Sequence, residues 1–246
     1  MVLAVHALYR LDEFQALERS TKRARRGILE STWDEPIVPN SNVLFGDVPL
    51  SKMTAQAIRV IRDRKSSLPE AANGRVKAAR QVFAWGLENE TTAVLANPAR
   101  DVKYLKGNPD GFHTWTIEEV RRFEDRHPVG TKARLALTLL LFTGVRRSDV
   151  VRLGRQMVSS GWLRFTEVKG AKSNPKQREL PILPTLQAAI DATPSGHMTF
   201  LVTEFGKPFT PAGFGNKFRD WCNQAGLLCA RPAQQLRPTT ARHRIG

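Results

Sequence analysis

The chain has 246 residues, 41% of them hydrophobic and 25% charged, a balance that excludes wholesale disorder. At about 100–200 residues per domain, it holds one large or two small domains. Lys and Arg number 38 against 23 Asp and Glu, a net charge of +15, which points to a polyanion, nucleic acid first.

The longest apolar run, Leu135 to Phe142, is broken by Thr138 and falls far short of a membrane span of about 20 residues. The N-terminal stretch MVLAVHALYRLDEF lacks a basic n-region, so no signal peptide is expected. Two cysteines, Cys222 and Cys229, can neither staple a fold nor complete a four-ligand zinc site. They fit a reducing, cytoplasmic setting. Charge is uneven: residues 1–110 hold 17 basic and 13 acidic residues, and residues 111–246 hold 21 and 10.

In chain order, Leu11 to Leu17 reads as a short amphipathic helix. Ser20 can cap a helix through Thr21–Thr32, with Lys22, Arg23, Arg25 and Arg26 in its first turns. Residues 34–50 hold three prolines and a glycine and read as loop. Met53 to Arg64 and Ala71 to Leu87 have helical periodicity, the former exposing Arg59, Arg62 and Arg64. Residues 97–112, NPARDVKYLKGNPDGF, carry a linker signature, so a domain boundary is expected near residue 110.

Beyond it, Thr116 and Glu119 stand at capping-box spacing and open a helix at Ile117. Thr131 to Phe142 predicts a buried helix, interrupted at Thr143-Gly144. Ser148 can cap the next helix, through Leu153. Trp162 to Val168 alternates as a strand and Arg178 to Ile182 reads as its return, a hairpin with a basic tip. Pro184 to Ala192 reads as a helix, Met198 to Thr203 as a short strand, and Thr210 to Gly226 as a last helix with Phe214, Phe218, Trp221 and Cys222 on one face. Residues 228–246 lack acids and clean periodicity and read as a disordered basic tail.

Chemistry centres on Thr143-Gly144-Val145-Arg146-Arg147-Ser148-Asp149, where a buried helix delivers two arginines at a break. A guanidinium is a forked donor suited to phosphate oxygens, and Asp149 could orient one by a charge-assisted bond. Without further context, a solvated charge cluster at a helix end is the favoured explanation of the segment. Lys169 follows at the start of the hairpin turn.

These residues resemble the catalytic domain of the tyrosine recombinases, the phage integrase family. The likeness is carried by LLLFTGVRRSDVVRL, by VKG followed by RELPI, and by FLVTEFGKPFTPAGFGNKFRDWCNQAGL, and it covers most of residues 10–227. It implies a mainly α fold with a small β component. A helical core-binding domain (1–110), gripping DNA from the opposite face of the duplex, would precede an α+β catalytic domain (111–227) that is incomplete at its C-terminal end.

By the same resemblance Arg146 would hold the scissile phosphate, Lys169 would protonate the leaving 5′ oxygen, and Asp149 would support the arginine. Arg147 would contact backbone phosphate or stand as a surface charge. Lys172 is the runner-up for the catalytic lysine, and Lys172, Lys176 and Arg178 otherwise read as solvated hairpin charges, with phosphate contact a close second. Lys22, Arg23, Arg25, Arg26, Arg59 and Arg62 are the first domain's expected phosphate contacts. Double-stranded DNA is the expected partner, with assembly of several copies on it left open. No cofactor, metal or membrane is implied.

The family also carries an H-x-x-R box, a later His or Trp and a C-terminal tyrosine nucleophile, and none is present. Tyr9 and Tyr104 are the only tyrosines, and His243-Arg244 are adjacent. Covalent cleavage needs an activated nucleophile in line with the phosphate. The expectation is a recombinase inactive as written, through a frameshift or early stop near Leu227. The alternatives are a functional short form, or a non-catalytic DNA-binding protein derived from an integrase that interferes with the full-length enzyme. Such a loss should expose the apolar faces around Phe214 and Trp221. His6, His113, His127 and His197 show no metal spacing and read as solvated or loop histidines. Trp85, Trp115, Trp162 and Trp221 read as core.

Overall fold

The structure is a computed structural model, which describes residues 1–89, 92–109, 111, 113–171 and 174–227. The chain divides after Gly111 into two compact units.

The first unit is helical: α1 (Val2–Arg10), α2 (Asp12–Ala16), α3 (Arg19–Trp33), α4 (Ala55–Asp63) and α5 (Pro69–Glu88). α5 is its axis, opened by a proline whose missing N–H costs nothing at a helix start. α1, α3 and α4 pack on it, around Phe14, Phe45, Ile58, Val76 and Phe83. α1 was not expected from sequence. Val5, Leu8 and Tyr9 form its buried face, a stripe of helical spacing. Ser20 does not cap α3: the helix begins at Arg19, and Glu18 before it makes no side-chain capping bond. The extended backbone at Leu17 sets that start.

Residues 97–105 are not a free linker. Asn97, Ala99 and Val102 are buried. Arg80 of α5 donates to the carbonyls of Ala99 and Val102 at 2.9 and 3.0 Å. Asn73 exchanges two hydrogen bonds with the Leu105 backbone. A polar, Pro-bearing segment looks like linker until tertiary donors take up its carbonyls.

The second unit holds α6 (Ile117–Arg126), α7 (Lys132–Thr143), α8 (Arg147–Val150), the three-stranded antiparallel sheet β1 (Val158–Ser159), β2 (Trp162–Thr166) and β3 (Gln177–Pro181), then α9 (Pro184–Ala192) and α10 (Pro211–Gln224). The capping box forms, with Thr116 and Glu119 bonded both ways at 2.8 and 3.2 Å. α7 runs through the core, with Leu135, Leu137, Leu139 and Leu140 buried. The hairpin pairs Leu163 with Leu180 and Thr166 with Gln177. No ladder forms over 198–203, where Val202 makes one isolated bridge to Pro208. Proline has no N–H to extend the pairing.

α10 is covered rather than exposed. Phe214, Phe218, Trp221 and Cys222 are buried, and Phe218 stacks on Phe123 at 5.5 Å between centroids and lies 6.3 Å from Trp115. His127 is buried too, donating from Nε2 to the Trp221 carbonyl at 3.0 Å. The expected exposed face around Phe214 and Trp221 is therefore absent among the described residues, because α6 and α7 supply its partners. Trp162, by contrast, is 40% exposed on the hairpin. No described helix is long and apolar enough to cross a membrane.

α7 ends at Gly144, whose φ of +61° is left-handed. A side chain there costs about 1–2 kcal/mol. Gly144→Ala should lower the stability of the second unit by that amount in chemical denaturation, since no atom crowds the position and only backbone strain acts.

Candidate functional site

The site grows from the way α7 stops. After the left-handed turn at Gly144, Arg146 is extended (φ −78°, ψ 160°) and serves as the residue before α8. Ser148 lies inside the helix, so it is not the cap expected from sequence. The short helix places Asp149 in the interior, 2% exposed. Its Oδ1 accepts from the Val168 backbone N–H at 2.7 Å, pinning the end of the hairpin's first arm to α8. Its Oδ2 is buried with no hydrogen-bond partner among the described residues.

One residue before that pin, Glu167 bridges two arginines. Arg146 Nη1 donates to Glu167 Oε2 at 2.5 Å, and Arg178 Nε donates to Oε1 at 2.6 Å. The Glu167 side chain is 9% exposed, against 41% for Arg146 and 51% for Arg178. Hydrogen bonds from Arg146 and then Arg178 hold its carboxyl below the usual carboxylate range, outweighing burial. Lys169 stands two residues on, exposed in the turn, with no hydrogen bond or ion pair to any described residue. A guanidinium with free donors, a buried acid and an unengaged ammonium lie within one short stretch of α8 and hairpin.

Arg147 occupies a different place. It runs against Gly215 of α10, where a Cβ would come within 2.6 Å of its Nη1 and 3.1 Å of its Cδ. Its stem borders α10 while the residue stays exposed, with no hydrogen bond or ion pair to any described residue. Lys172 lies outside the described residues, as do residues 228–246. Arg178 is a half-exposed hairpin charge that also bonds Glu167. Glu167 itself was missed. The signal was present: strand alternation puts it on the same face as buried Leu163 and Phe165, an acid where an apolar residue belongs.

In the first unit the six expected contacts part company. Lys22, Arg23 and Arg26 line an open cleft along α3 together with Arg19, which sequence reasoning passed over, and with Gln15 and Glu30. Lys22 donates to the Gln15 carbonyl at 2.8 Å, and Arg26 lies over the Tyr9 ring at 4.9 Å. Arg25 turns to α5 and bonds Gln81 at 2.6 Å. Arg59 is exposed and bonds Gln56. Arg62 is only 13% exposed, held by Asp63 and the Lys103 carbonyl at 2.7 and 2.5 Å. Arg25 and Arg62 are thus both engaged within the first unit. No cluster of three or more His, Cys, Asp or Glu able to hold a metal occurs among the described residues.

The fold is similar to that of solved DNA integrases. The chain matches a lambda integrase dimer bound to a COC′ core site with a TM-score of 0.75 and 14% identity, over 96% of this chain and 83% of that one. It matches a lambda integrase tetramer bound to a Holliday junction with a TM-score of 0.72 and 14% identity, over 92% of this chain and 64% of that one. The Tn1549 transposon integrase in complex with circular intermediate DNA matches with a TM-score of 0.71 and 14% identity, over 96% and 84%. At such identity the likeness is one of fold. No protein-family profile matches the chain, and no curated protein matches it in sequence.

Proposed function

We propose that the chain is a DNA-binding protein of the site-specific recombinase type, built for the phosphodiester transesterification of DNA integration and recombination, and inactive in strand cleavage as its sequence stands. The observation that carries this reading is the tie between α8 and the hairpin. Asp149 fixes the Val168 amide, so Arg146 and the backbone that bears Lys169 are held by one shared set of contacts.

In this reading Arg146 presents its guanidinium to a non-bridging phosphate oxygen and stabilises the charge that develops there. Lys169 protonates the departing 5′ oxygen. Asp149 is a positioning residue, acting through the hairpin. Arg19, Lys22, Arg23 and Arg26 contact phosphates with the first unit, fixing position rather than sequence. The integrase structures of like fold hold DNA, as a dimer and as a tetramer, which supports duplex DNA as the partner and several copies upon it. No tyrosine follows Tyr104 in these 246 residues, and in this reading covalent cleavage needs a nucleophile beyond those they supply. The second reading, a non-catalytic DNA-binding protein that competes with a complete recombinase, is favoured by that same absence.

Two measurements test this. Duplex binding by gel shift should weaken steeply with salt, by a log–log slope of about −0.9 per phosphate contacted. It should fall when Arg19, Lys22, Arg23 and Arg26 are changed to Ala, and unchanged affinity would reject the cleft. A nicked suicide substrate should give no covalent adduct on denaturing gels; an adduct would reveal a nucleophile and sink the reading of inactivity.

A further inference from the structure

The proposed phosphate-holding arginine is already occupied by an anion from its own chain. Glu167 gives one carboxylate oxygen to Arg146 and the other to Arg178. A carboxylate and a phosphodiester offer a guanidinium the same thing, a pair of anionic oxygens set for its fork. Only Nη1 of Arg146 is engaged by Glu167, and the side chain remains 41% exposed, so its other donors stay open to an incoming anion. The acid is fixed from behind: its N–H donates to the Lys176 carbonyl at 2.9 Å, and Val168 beside it is pinned by Asp149.

We infer that Glu167 is an internal stand-in for phosphate. Its carboxylate holds Nη1 of Arg146 while no DNA is bound and yields that nitrogen to a DNA phosphate, which then meets the whole fork, so Glu167 restrains how tightly this site takes polyanions. The inference rests on the reading of Arg146 as a phosphate-holding residue. It makes a prediction opposite in sign to the plain alternative. If Glu167 merely orients Arg146 for DNA, removing its charge loosens the arginine and weakens binding. If it competes with phosphate, removing its charge frees the arginine and tightens binding.

The full chain is titrated against a short duplex of arbitrary sequence by fluorescence anisotropy over a range of salt. Glu167→Gln should bind about 3–10-fold tighter than the parent, with the log–log salt slope steeper by about one phosphate contact. The gain should vanish in the Arg146→Ala background. Glu179→Gln is the control for a general change of charge, since Glu179 pairs with Arg164 on the same hairpin at 2.6 Å and lies on its exposed side. It should give less than half the gain. Glu167→Asp keeps the charge but withdraws the carboxylate by one methylene. It should tighten binding by a smaller factor, and it serves if the Gln variant does not fold.

Equal or weaker binding by Glu167→Gln, a gain no larger than that of Glu179→Gln, or a gain that survives Arg146→Ala would each overturn the inference. Two failures are distinguishable. If Arg146→Ala weakens binding while the Glu167 variants do not tighten it, the phosphate reading stands and the stand-in falls. If Arg146→Ala changes nothing in either background, the phosphate reading itself falls, and the stand-in with it.

Discussion

Phe218→Ala should unfold the second unit at temperatures where the first remains folded. Phe218 has no exposed surface. It sits at the meeting point of Phe123, Phe214, Trp115 and Trp221, with ring centroids 5.5–6.3 Å apart. Truncating a buried phenylalanine costs about 3–5 kcal/mol, the lost transfer energy plus a cavity that the neighbours fill only in part. Aromatic pairing adds about 0.5–1.5 kcal/mol for each contact removed. A domain has roughly 5–15 kcal/mol in total, so one substitution consumes a large share of it. The check is a thermal or urea melt followed by near-ultraviolet signal in a Trp33→Phe, Trp85→Phe background, so that only tryptophans of the second unit report. A midpoint within a degree or two of the parent would show that α10 does not hold the second unit's core together. The consequence reaches the site, because α8, which carries Asp149, packs on α10.

Much of this arrangement could be read in the sequence, and the reasons are local. The Thr116/Glu119 box and the Pro184 start act within one helical turn, and each formed as expected. The buried stripe of α7 and its stop at Gly144 were legible for the same reason. Errors arose where a choice depended on distant partners. Ser20 and Ser148 are good caps by type, yet each lies one residue inside a helix that starts earlier. Arg25 and Arg62 are charged residues on helices, indistinguishable in sequence from Lys22 or Arg59. Their bonds to Gln81 and to the Lys103 carbonyl depend on distant partners that no local pattern encodes. Arg146 was legible as part of a motif. Its ion pair with Glu167 spans 21 positions, and no local periodicity encodes such a pair. What sequence could offer was the oddity of an acid on the buried face of β2's continuation.

A second carboxylate between two arginines stabilises the first unit, and its contribution depends on pH. Glu35 accepts from Arg64 Nη1 at 3.1 Å and from Arg75 Nη1 at 3.2 Å, with a further bond from Arg75 Nη2. The Arg75 side chain is 4% exposed and its Nη1 also donates to the Ile61 carbonyl at 2.9 Å. Burial works to raise the Glu35 carboxyl, but hydrogen bonds from Arg75 and Arg64 outweigh it and hold the group below its ordinary value. Removing one member of a buried pair leaves the other charge uncompensated, typically at about 3–5 kcal/mol. Glu35 is 24% exposed, so water can reach part of the pair and the low end of that range is expected for Glu35→Gln. The sign follows from linkage. A carboxyl whose folded pKa is depressed contributes fully above its unfolded value, near 4.5, and loses that contribution as pH falls through the folded value. The gap in stability between the parent and Glu35→Gln should therefore be widest at neutral pH and close as pH drops below about 4.5, where Glu35 takes up its proton and the parent comes to resemble the variant. Urea melts of both proteins at pH 7 and in the acid range measure this directly. A gap that persists unchanged into acid would mean that Arg75 is held by packing and the Ile61 carbonyl rather than by the charge of Glu35.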